Sequence, residues 1–407
     1  MKLAAASRIS ALIVVIAASV LCSSSPVSAQ PPTVEASAAV LVDTATGVVL
    51  FDRAMHERRP MASTTKIMTA LLALESSQPD DLVTVPEAVV QADGSSLYLT
   101  PGERLAMHDL LAGLLVGSAN DAAVAIAVHI GGSVEGFAER MNQRAQELGA
   151  TDTHFVNPHG LYAPDHYSTA YDLALITRAA MNHPLFRELV ATKVVEIPRQ
   201  SPEGPTRLIN HNKLLWRADF VDGVKTGYVN ESGHCLVASG TREGWQLIAV
   251  VLDSPDMYAE TFALLEYGFS TYRQRIHARA GDALGRAPVR RGKSGSVPAV
   301  CEWTLSAVTG PGQPDTARLE TTLNVVEAPI AQGDPVGEAR LLLDGNLLAR
   351  TPLLAAQPVP RTRFSATTIW TLRALAFCTL ALLMVRTHAK IVKANRRRRG
   401  GFPPKGR

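Results

Sequence analysis

Pro60 to Glu75 reads PMASTTKIMTALLALE. Ser63 and Lys66 stand three positions apart at the head of a run in which Ile67, Met68, Leu71, Leu72 and Leu74 cover most sides of a helix. That pattern belongs to a helix sunk in a domain core rather than resting on its surface. A buried helix has little reason to keep a lysine on its first turn. Residues three apart on a helix share a face, which brings the hydroxyl and the amine together. Serine at neutral pH is a weak nucleophile and needs a base within hydrogen-bond reach. Lysine can be that base only if burial or nearby positive charge lowers its pKa. The start of a helix also favours negative charge developing on Ser63. By itself the spacing is short, and an N-cap serine followed by a solvated lysine is the better explanation of an isolated SxxK.

Around this helix the pattern is that of a mixed domain. Residues 38–53, AAVLVDTATGVVLFDR, place two apolar runs on either side of the turn-like DTATG and predict a β-hairpin. From Gly102 to Ile130 the chain is helical in pattern, broken at Gly117, Ser118 and Asn120. GHCLVASG and WQLIAVVLD, joined by TREG, predict paired antiparallel strands, and MYAETFALLEYGFSTYR a closing helix.

Two further polar clusters interrupt apolar elements. In GSAND, Gly117 to Asp121, Ser118 is placed to relay a proton and Asn120 to hydrogen-bond a substrate amide; a simple helix break capped by Ser118 fits as well. In VKTGY, Val224 to Tyr228, Lys225 and Thr226 suit an anionic group, and Gly227 permits close approach to the backbone; an ordinary turn is the plainer reading. The order SxxK, SxN, KTG follows the signature of penicillin-binding proteins and class A β-lactamases, except that Ala119 stands where S-D-N has its aspartate.

The chain resembles the serine-type D-Ala-D-Ala carboxypeptidases, low-molecular-mass members of the penicillin-recognising serine transpeptidase-like group. AAVLVDTATGVVLFDRAMHERRPMASTTKIMTALLALE, FVNPHGL, HYSTAYDLA, INHNKLL and GVKTGYV carry the likeness in order, over about residues 35–272. The resemblance implies an α/β (α+β) fold, an antiparallel sheet flanked by helices. It also implies a reaction on peptidoglycan stem peptides ending in D-Ala-D-Ala. Ser63 would attack the carbonyl between the two D-alanines, Lys66 would take its proton, and Ser118 would pass a proton to the leaving D-alanine. Asn120 would align the peptide, and Lys225 and Thr226 would receive the terminal carboxylate. Backbone N–H groups of Ser63 and Tyr228 would form the oxyanion hole. β-Lactam antibiotics would acylate the same serine. Water would complete the hydrolysis, so the expectation is an enzyme without cofactor or metal.

The ends place the domain. Residues 1–29 have the basic start, apolar middle and VSA cleavage site of a secretory leader. The peptidase domain is then expected over 33–275, a linker rich in Gly, Ala and Arg over 276–296, and a small β domain over 297–360. In that domain Cys301, Trp303 and Leu305 alternate with polar residues. Residues 364–385 are about long enough to cross a bilayer as a helix, and 386–407 form a basic tail expected on the cytoplasmic side. Arg373, amid that apolar run, suits equally a helix lying on the membrane surface. The formal charge is +3; the leader supplies +2 and the tail +9, which leaves residues 30–385 at −8. An acidic body with a basic membrane-flanking tail is no nucleic-acid footprint.

Cys22, Cys235, Cys301 and Cys378 form no disulfide framework, and Cys235 and Cys301 are expected as free thiols. No spacing resembles HExxH, and His159 and His211 are expected to be structural because lysine fills the role of base. Three functions compete with hydrolysis on this machinery. A class A β-lactamase would carry a deacylating ExxLN segment, and none lies between Asn120 and Lys225. A noncatalytic penicillin-binding sensor would keep the same residues, and a transpeptidase would differ only in using an amine in place of water.

Overall fold

Ala38–Asp43 (β1) and Val49–Arg53 (β2) form the expected hairpin. Its turn is set by Asp43, whose carboxylate accepts from Thr46 N at 2.7 Å and from the Thr46 hydroxyl at 2.5 Å. The structure, a computed structural model, describes residues 30–199, 206–362 and 366–399, so the leader assigned to residues 1–29 lies outside it. The described chain divides into two compact units, one running to Arg275 and including Ser306–Thr316, the other formed by Ile276–Leu305 and the residues from Ala317 onward.

In the first unit the hairpin is followed by a 3-10 turn at Ala62–Thr65 and the helix Lys66–Ser76 (α1). Leu82–Thr84 (β3) pairs with Arg104–Ala106 (β4). Then come the helices Met107–Leu115 (α2), Asn120–Gly131 (α3), Val134–Glu147 (α4), Ala170–Ala180 (α5) and Pro184–Ala191 (α6). Val194–Glu196 (β5) pairs with Arg207–Ile209 (β6). Leu214–Arg217 (α7), Val221–Val229 (β7), Gly233–Arg242 (β8), Trp245–Ser254 (β9) and Met257–Thr271 (α8) complete it. The main sheet is antiparallel in the order β2-β1-β9-β8-β7, which leaves β7 at an edge. β8 and β9 turn on Glu243 and Gly244, both at positive φ, as a two-residue hairpin requires.

Side chains alternate across a strand, and here both faces are covered. Val40, Val42, Val237, Ile248 and Val250 join one core with Ile67, Met68 and Leu71 of α1. Leu41, Leu236, Leu247 and Val251 join a second with Leu264, Leu265 and Phe269 of α8. Burial on both sides explains why these strands read as apolar runs with little polar alternation. The helical stretch from Gly102 divides where the sequence breaks it: α2 ends at Leu115, Ser118 takes a left-handed φ of 59°, and α3 begins at Asn120.

The second unit corrects three expectations. Residues 276–296 are not a linker: Arg273–Ala278 (β10) reaches into them and Ala283–Arg290 (β11) lies within them. Ala287 and Val289 point inward while Arg286, Pro288 and Arg290 are exposed, so the Gly, Ala and Arg content conceals a period of two. Ser296–Cys301 (β12) follows, then Leu305–Thr309 (β13), which but for Leu305 belongs to the first unit, then Arg318–Leu323 (β14), Val326–Glu327 (β15), Pro335–Leu343 (β16) and Asn346–Ala355 (β17); a six-stranded sheet runs β14-β16-β17-β12-β11-β15. Cys301 and Leu305 are buried as the alternation predicts, but Trp303 is 57% exposed because β12 has ended before it. The terminal helix, Ala366–Arg399 (α9), does not stop at Val385; it continues through the basic segment, and Trp370–Arg396 is long and apolar enough to cross a membrane by length and composition. Cys235 and Cys301 are buried free thiols.

Candidate active site

Ser63 sits in the 3-10 turn rather than on α1 itself. It reaches solvent while Ala62, Thr64, Thr65 and Lys66 are buried. Ala62 takes a left-handed φ of 47°, a conformation that costs a non-glycine residue about 1 kcal/mol or more and that surrounding contacts must hold. Those contacts are visible. Thr64 Oγ1 donates to Met61 O at 2.7 Å. Gly160 presses so closely that a Cβ there would stand 1.8 Å from Ala62 O. His166 Nδ1 accepts from Val156 N at 3.0 Å, so the ring proton is on Nε2 and donates to Thr65 Oγ1 at 2.9 Å. Burial lowers the pKa of His166 to about 4, which keeps this arrangement neutral.

Lys66 is fully buried, with Nζ 2.9 Å from Ser63 Oγ, 2.6 Å from Asn120 Oδ1 and 2.8 Å from His159 O. Two of these atoms only accept, so a neutral amine gives them its two protons and keeps its lone pair for the Ser63 hydroxyl. The electrostatics favour that form. Desolvation, then the charge of Lys225, hold the Lys66 pKa well below its ordinary value, against a smaller opposing pull from Asp121.

Asn120, the first residue of α3, ties the site to the loop before β4. Its Nδ2 donates to Asp93 O at 2.5 Å and its backbone N to Ser95 O at 2.7 Å. Asp121 fixes the same loop by accepting from Ser96 Oγ at 2.6 Å, Leu97 N at 3.0 Å and Leu99 N at 2.9 Å. Ser118 is buried in the turn ahead of α3 and does not cap it; the capping position is Ala119, which makes no side-chain bond. Ala119 is fully buried, which leaves an aspartate at that position no access to water.

β7 supplies the remaining candidates. Lys225 is buried, with Nζ donating to Thr226 O at 3.1 Å, and burial lowers its pKa to about 7. Gly227 lies against the Ser63 turn: a Cβ there would be 3.0 Å from Ser63 N, from Met61 O and from Ala62 Cβ. That approach sets the edge strand beside the Ser63 amide. Tyr228 is exposed, its ring 4.7 Å from that of His234 and its hydroxyl donating to Asn230 Oδ1 at 3.1 Å.

Asn212 Nδ2 donates to Gly223 O at 2.9 Å and holds the start of β7, while Asn210 Nδ2 donates to Thr192 O at 3.0 Å, just past α6. His159 is structural: its carbonyl receives Lys66, its Nδ1 accepts from Leu161 N at 3.2 Å, and burial with the Lys66 charge lowers its pKa to about 3. Gly160, His166 and Ala62 carry no motif of their own and are legible only as parts of longer family-like segments, and the loop at 93–97 lies in none of those segments. Among the described residues, no three His, Cys, Asp or Glu side chains gather where they could hold a metal ion.

A hydroxyl facing a desolvated amine, beside a second buried lysine on an edge strand, is the equipment of an acyl-transferring serine hydrolase. Residues 25–256 match the family model of the D-alanyl-D-alanine carboxypeptidases, peptidase S11, and residues 272–361 match the C-terminal domain of penicillin-binding protein 5. The D-alanyl-D-alanine carboxypeptidase DacF of Bacillus subtilis (strain 168) is 33% identical over 340 residues, 81% of this chain and 87% of its own. Penicillin-binding protein 5 of Haemophilus influenzae superposes with a TM-score of 0.62 at 30% identity, covering 82% of this chain and 99% of that one. A serine-to-alanine mutant of the Streptomyces K15 DD-transpeptidase superposes with a TM-score of 0.56 at 33% identity, over 59% of this chain and 99% of that one. The chain belongs to the D-alanyl-D-alanine carboxypeptidase family of serine hydrolases.

Proposed function

We propose that this site removes the terminal D-alanine of peptidoglycan stem peptides, with Ser63 as nucleophile and Lys66 as its base. Lys66 Nζ accepts the Ser63 proton as Oγ attacks the carbonyl between the two D-alanines. The oxyanion is received by the backbone N–H groups of Ser63 and Tyr228, which the close packing of Gly227 supports. The proton held on Lys66 passes through Ser118 to the departing amine, which leaves Lys66 neutral again, and the C–N bond breaks to leave an ester on Ser63. Lys225 and Thr226 hold the terminal carboxylate, and the Asn120 amide, with one N–H left beyond Asp93, aligns the acyl portion. Water attacks the ester, its proton returning through Lys66. β-Lactams acylate the same oxygen. The terminal helix anchors the body at the outer face of the cell membrane, with its basic end on the cytoplasmic side.

The contact pattern of Lys66 carries this reading: with two N–H groups on Asn120 Oδ1 and His159 O, the neutral amine that desolvation favours has its lone pair at the Ser63 hydroxyl, 2.9 Å away. The test is release of D-alanine from a pentapeptide by the full chain in detergent, with Ser63→Ala as control. Release by Ser63→Ala refutes the assignment, and a stable penicillin adduct without peptide cleavage makes the protein a sensor. The likeness to a DD-transpeptidase favours one second reading, partial transfer to an amine. Adding an acceptor amine and measuring ligated product against free acid decides it.

A further inference from the structure

The chain leaves the second unit through a cationic end. β11 and β12 form an antiparallel pair whose turn spans residues 291–295. That turn is bonded to the last described residues before α9. Lys293 N donates to Pro360 O at 2.9 Å, Thr362 N to Arg291 O at 2.8 Å, and Gly292 bridges Arg361. The Thr362 hydroxyl donates to Arg291 O as well, at 2.9 Å. Arg290, Arg291, Lys293 and Arg361 therefore share one end of this unit, and all four are exposed. Their charge is only partly offset. Glu327, on β15 beside β11, lies 2.8 Å from Arg291 and 3.6 Å from Arg361, so one acid faces four cations. Other acids lie farther along the sheet: Asp282 and Glu302 stand at the opposite end of the β11–β12 pair, and Asp334 is level with Ala355. A surplus of positive charge is thus gathered in a body whose residues 30–385 sum to −8.

Continuity with the terminal helix decides what faces this end. The inference rests on the reading that α9 anchors the chain in the membrane. Only residues 363–365 separate Thr362 from the start of that helix at Ala366, and its apolar span begins at Trp370, one turn further on. Four steps of chain reach at most about 14 Å. The cationic end is therefore tethered within that distance of the helix that enters the bilayer. Guanidinium groups pair with phosphate oxygens through a fork of N–H donors. A cation held near an anionic membrane surface strengthens binding by about fivefold, an effect that fades within a screening length. Charge and position together select lipid phosphate as the partner.

We infer that this end of the second unit docks on the outer leaflet, with Arg290, Arg291, Lys293 and Arg361 against the phosphates of anionic phospholipids. Docking adds to the anchor a second hold that depends on lipid charge. The test places a fluorophore on the turn. Gly295 is exposed with open space where a Cβ would stand, and Cys235 and Cys301 are buried, so Gly295→Cys with Cys378→Ser gives the exported chain one accessible thiol. The full chain is reconstituted in vesicles of phosphatidylcholine, alone or in equal parts with phosphatidylglycerol, that carry a quencher on the lipid headgroups. Quenching is expected to rise with phosphatidylglycerol and to be lost in about 1 M salt, where the screening length falls to about 3 Å. Arg290→Gln, Arg291→Gln and Lys293→Gln together are expected to lower the ratio of docked to undocked chains by about 100-fold, about fivefold for each cation. Arg318→Gln, Arg340→Gln and Arg350→Gln, exposed on β14, β16 and β17, remove the same charge and are expected to leave the ratio unchanged. Quenching that ignores lipid charge, or that falls equally in both triple variants, overturns the inference. So does displacement from phosphatidylglycerol vesicles by soluble inorganic polyphosphate at equal phosphate concentration, which would make the partner a free polyanion. A chain that does not float with vesicles after an alkaline wash loses the anchor and this inference with it. One that floats but docks equally in both lipids loses this inference alone.

Discussion

Asn120 Oδ1 lies 2.6 Å from Lys66 Nζ and joins the first residue of α3 to the first residue of α1. An amide oxygen satisfies the amine without adding charge, so the contact leaves desolvation free to keep Lys66 neutral. Replacing it with a carboxylate reverses that. Asn120→Asp is expected to place a negative charge against Nζ, raise the Lys66 pKa and cut acylation by a fluorescent penicillin by about 10²-fold or more at neutral pH, the scale of a lost general base. The deficit shrinks as pH rises. A variant that acylates at the parent rate at pH 7 removes the argument for a neutral base.

Lys66 and Lys225 predict opposite limbs in the pH dependence. Protonation of Lys66 abolishes the base and produces an acid limb, placed low because burial and Lys225 depress its pKa. Lys225 in the free enzyme loses its charge above about 7, so attraction for the substrate carboxylate weakens there. The KM for peptide is therefore expected to climb above about pH 7, while kcat, which reports the complex, falls less. Stability follows the same depressed pKa: the unfolded chain holds the Lys225 proton up to about its ordinary 10.5, so stability rises with pH from about 7 toward that value. Thermal melts of Lys225→Met should show a shallower rise, the remainder belonging to Lys66, whose pKa is depressed as well. A KM independent of pH between 6 and 9 counts against Lys225 as carboxylate receptor.

Two glycines test how the nucleophile turn is clamped. At Gly227 a Cβ meets Ser63 N, Met61 O and Ala62 Cβ at 3.0 Å, so Gly227→Ala asks the turn to yield by a few tenths of an ångström. At Gly160 a Cβ would overlap Ala62 O at 1.8 Å, and φ is +92°. Overpacking of this kind costs about 1–3 kcal/mol. Gly160→Ala is expected to reach or exceed the top of that range and to slow penicillin acylation more than Gly227→Ala does. Equal effects in stopped-flow acylation would show that the turn is not clamped from the Gly160 side.

What the sequence reveals and what it hides follow one physical division. The hairpin at 38–53, the β8–β9 pair and the buried α1 are legible because local period and turn chemistry specify them. Ser63, Lys66, Asn120 and Gly227 are legible because apolar neighbours make polar or backbone-permissive residues conspicuous. His166 and Gly160 are not, since their importance lies in contacts with Thr65 and Ala62 across about a hundred positions of chain. β11 has the look of a linker because arginine and proline on its exposed face mask the inward Ala287 and Val289. The end of α9 is hidden for a related reason: loss of apolar character after Val385 marks where a span ends, and nothing in a run of Lys and Arg stops a helix.

Arg199 and Glu103 form an ion pair at 2.7 Å with side chains only 1% and 3% exposed, and the guanidinium also donates to Leu97 O at 2.6 Å and Tyr98 O at 3.2 Å. The arginine thus secures the far end of the loop whose near end Asn120 and Asp121 hold. Breaking a buried pair from one side is far more costly than removing both charges, because the survivor stays desolvated. Arg199→Ala is expected to destabilise the protein by about 3–5 kcal/mol in urea unfolding, and Arg199→Met combined with Glu103→Leu to recover much of that loss. Recovery of stability need not restore function. The double variant still lacks the donors to Leu97 and Tyr98, so its peptide KM is expected to stay raised while acylation of a small penicillin, which does not extend along the loop, recovers further. A single variant costing less than about 1 kcal/mol would show that water reaches the pair and that the loop is held from the α3 side alone.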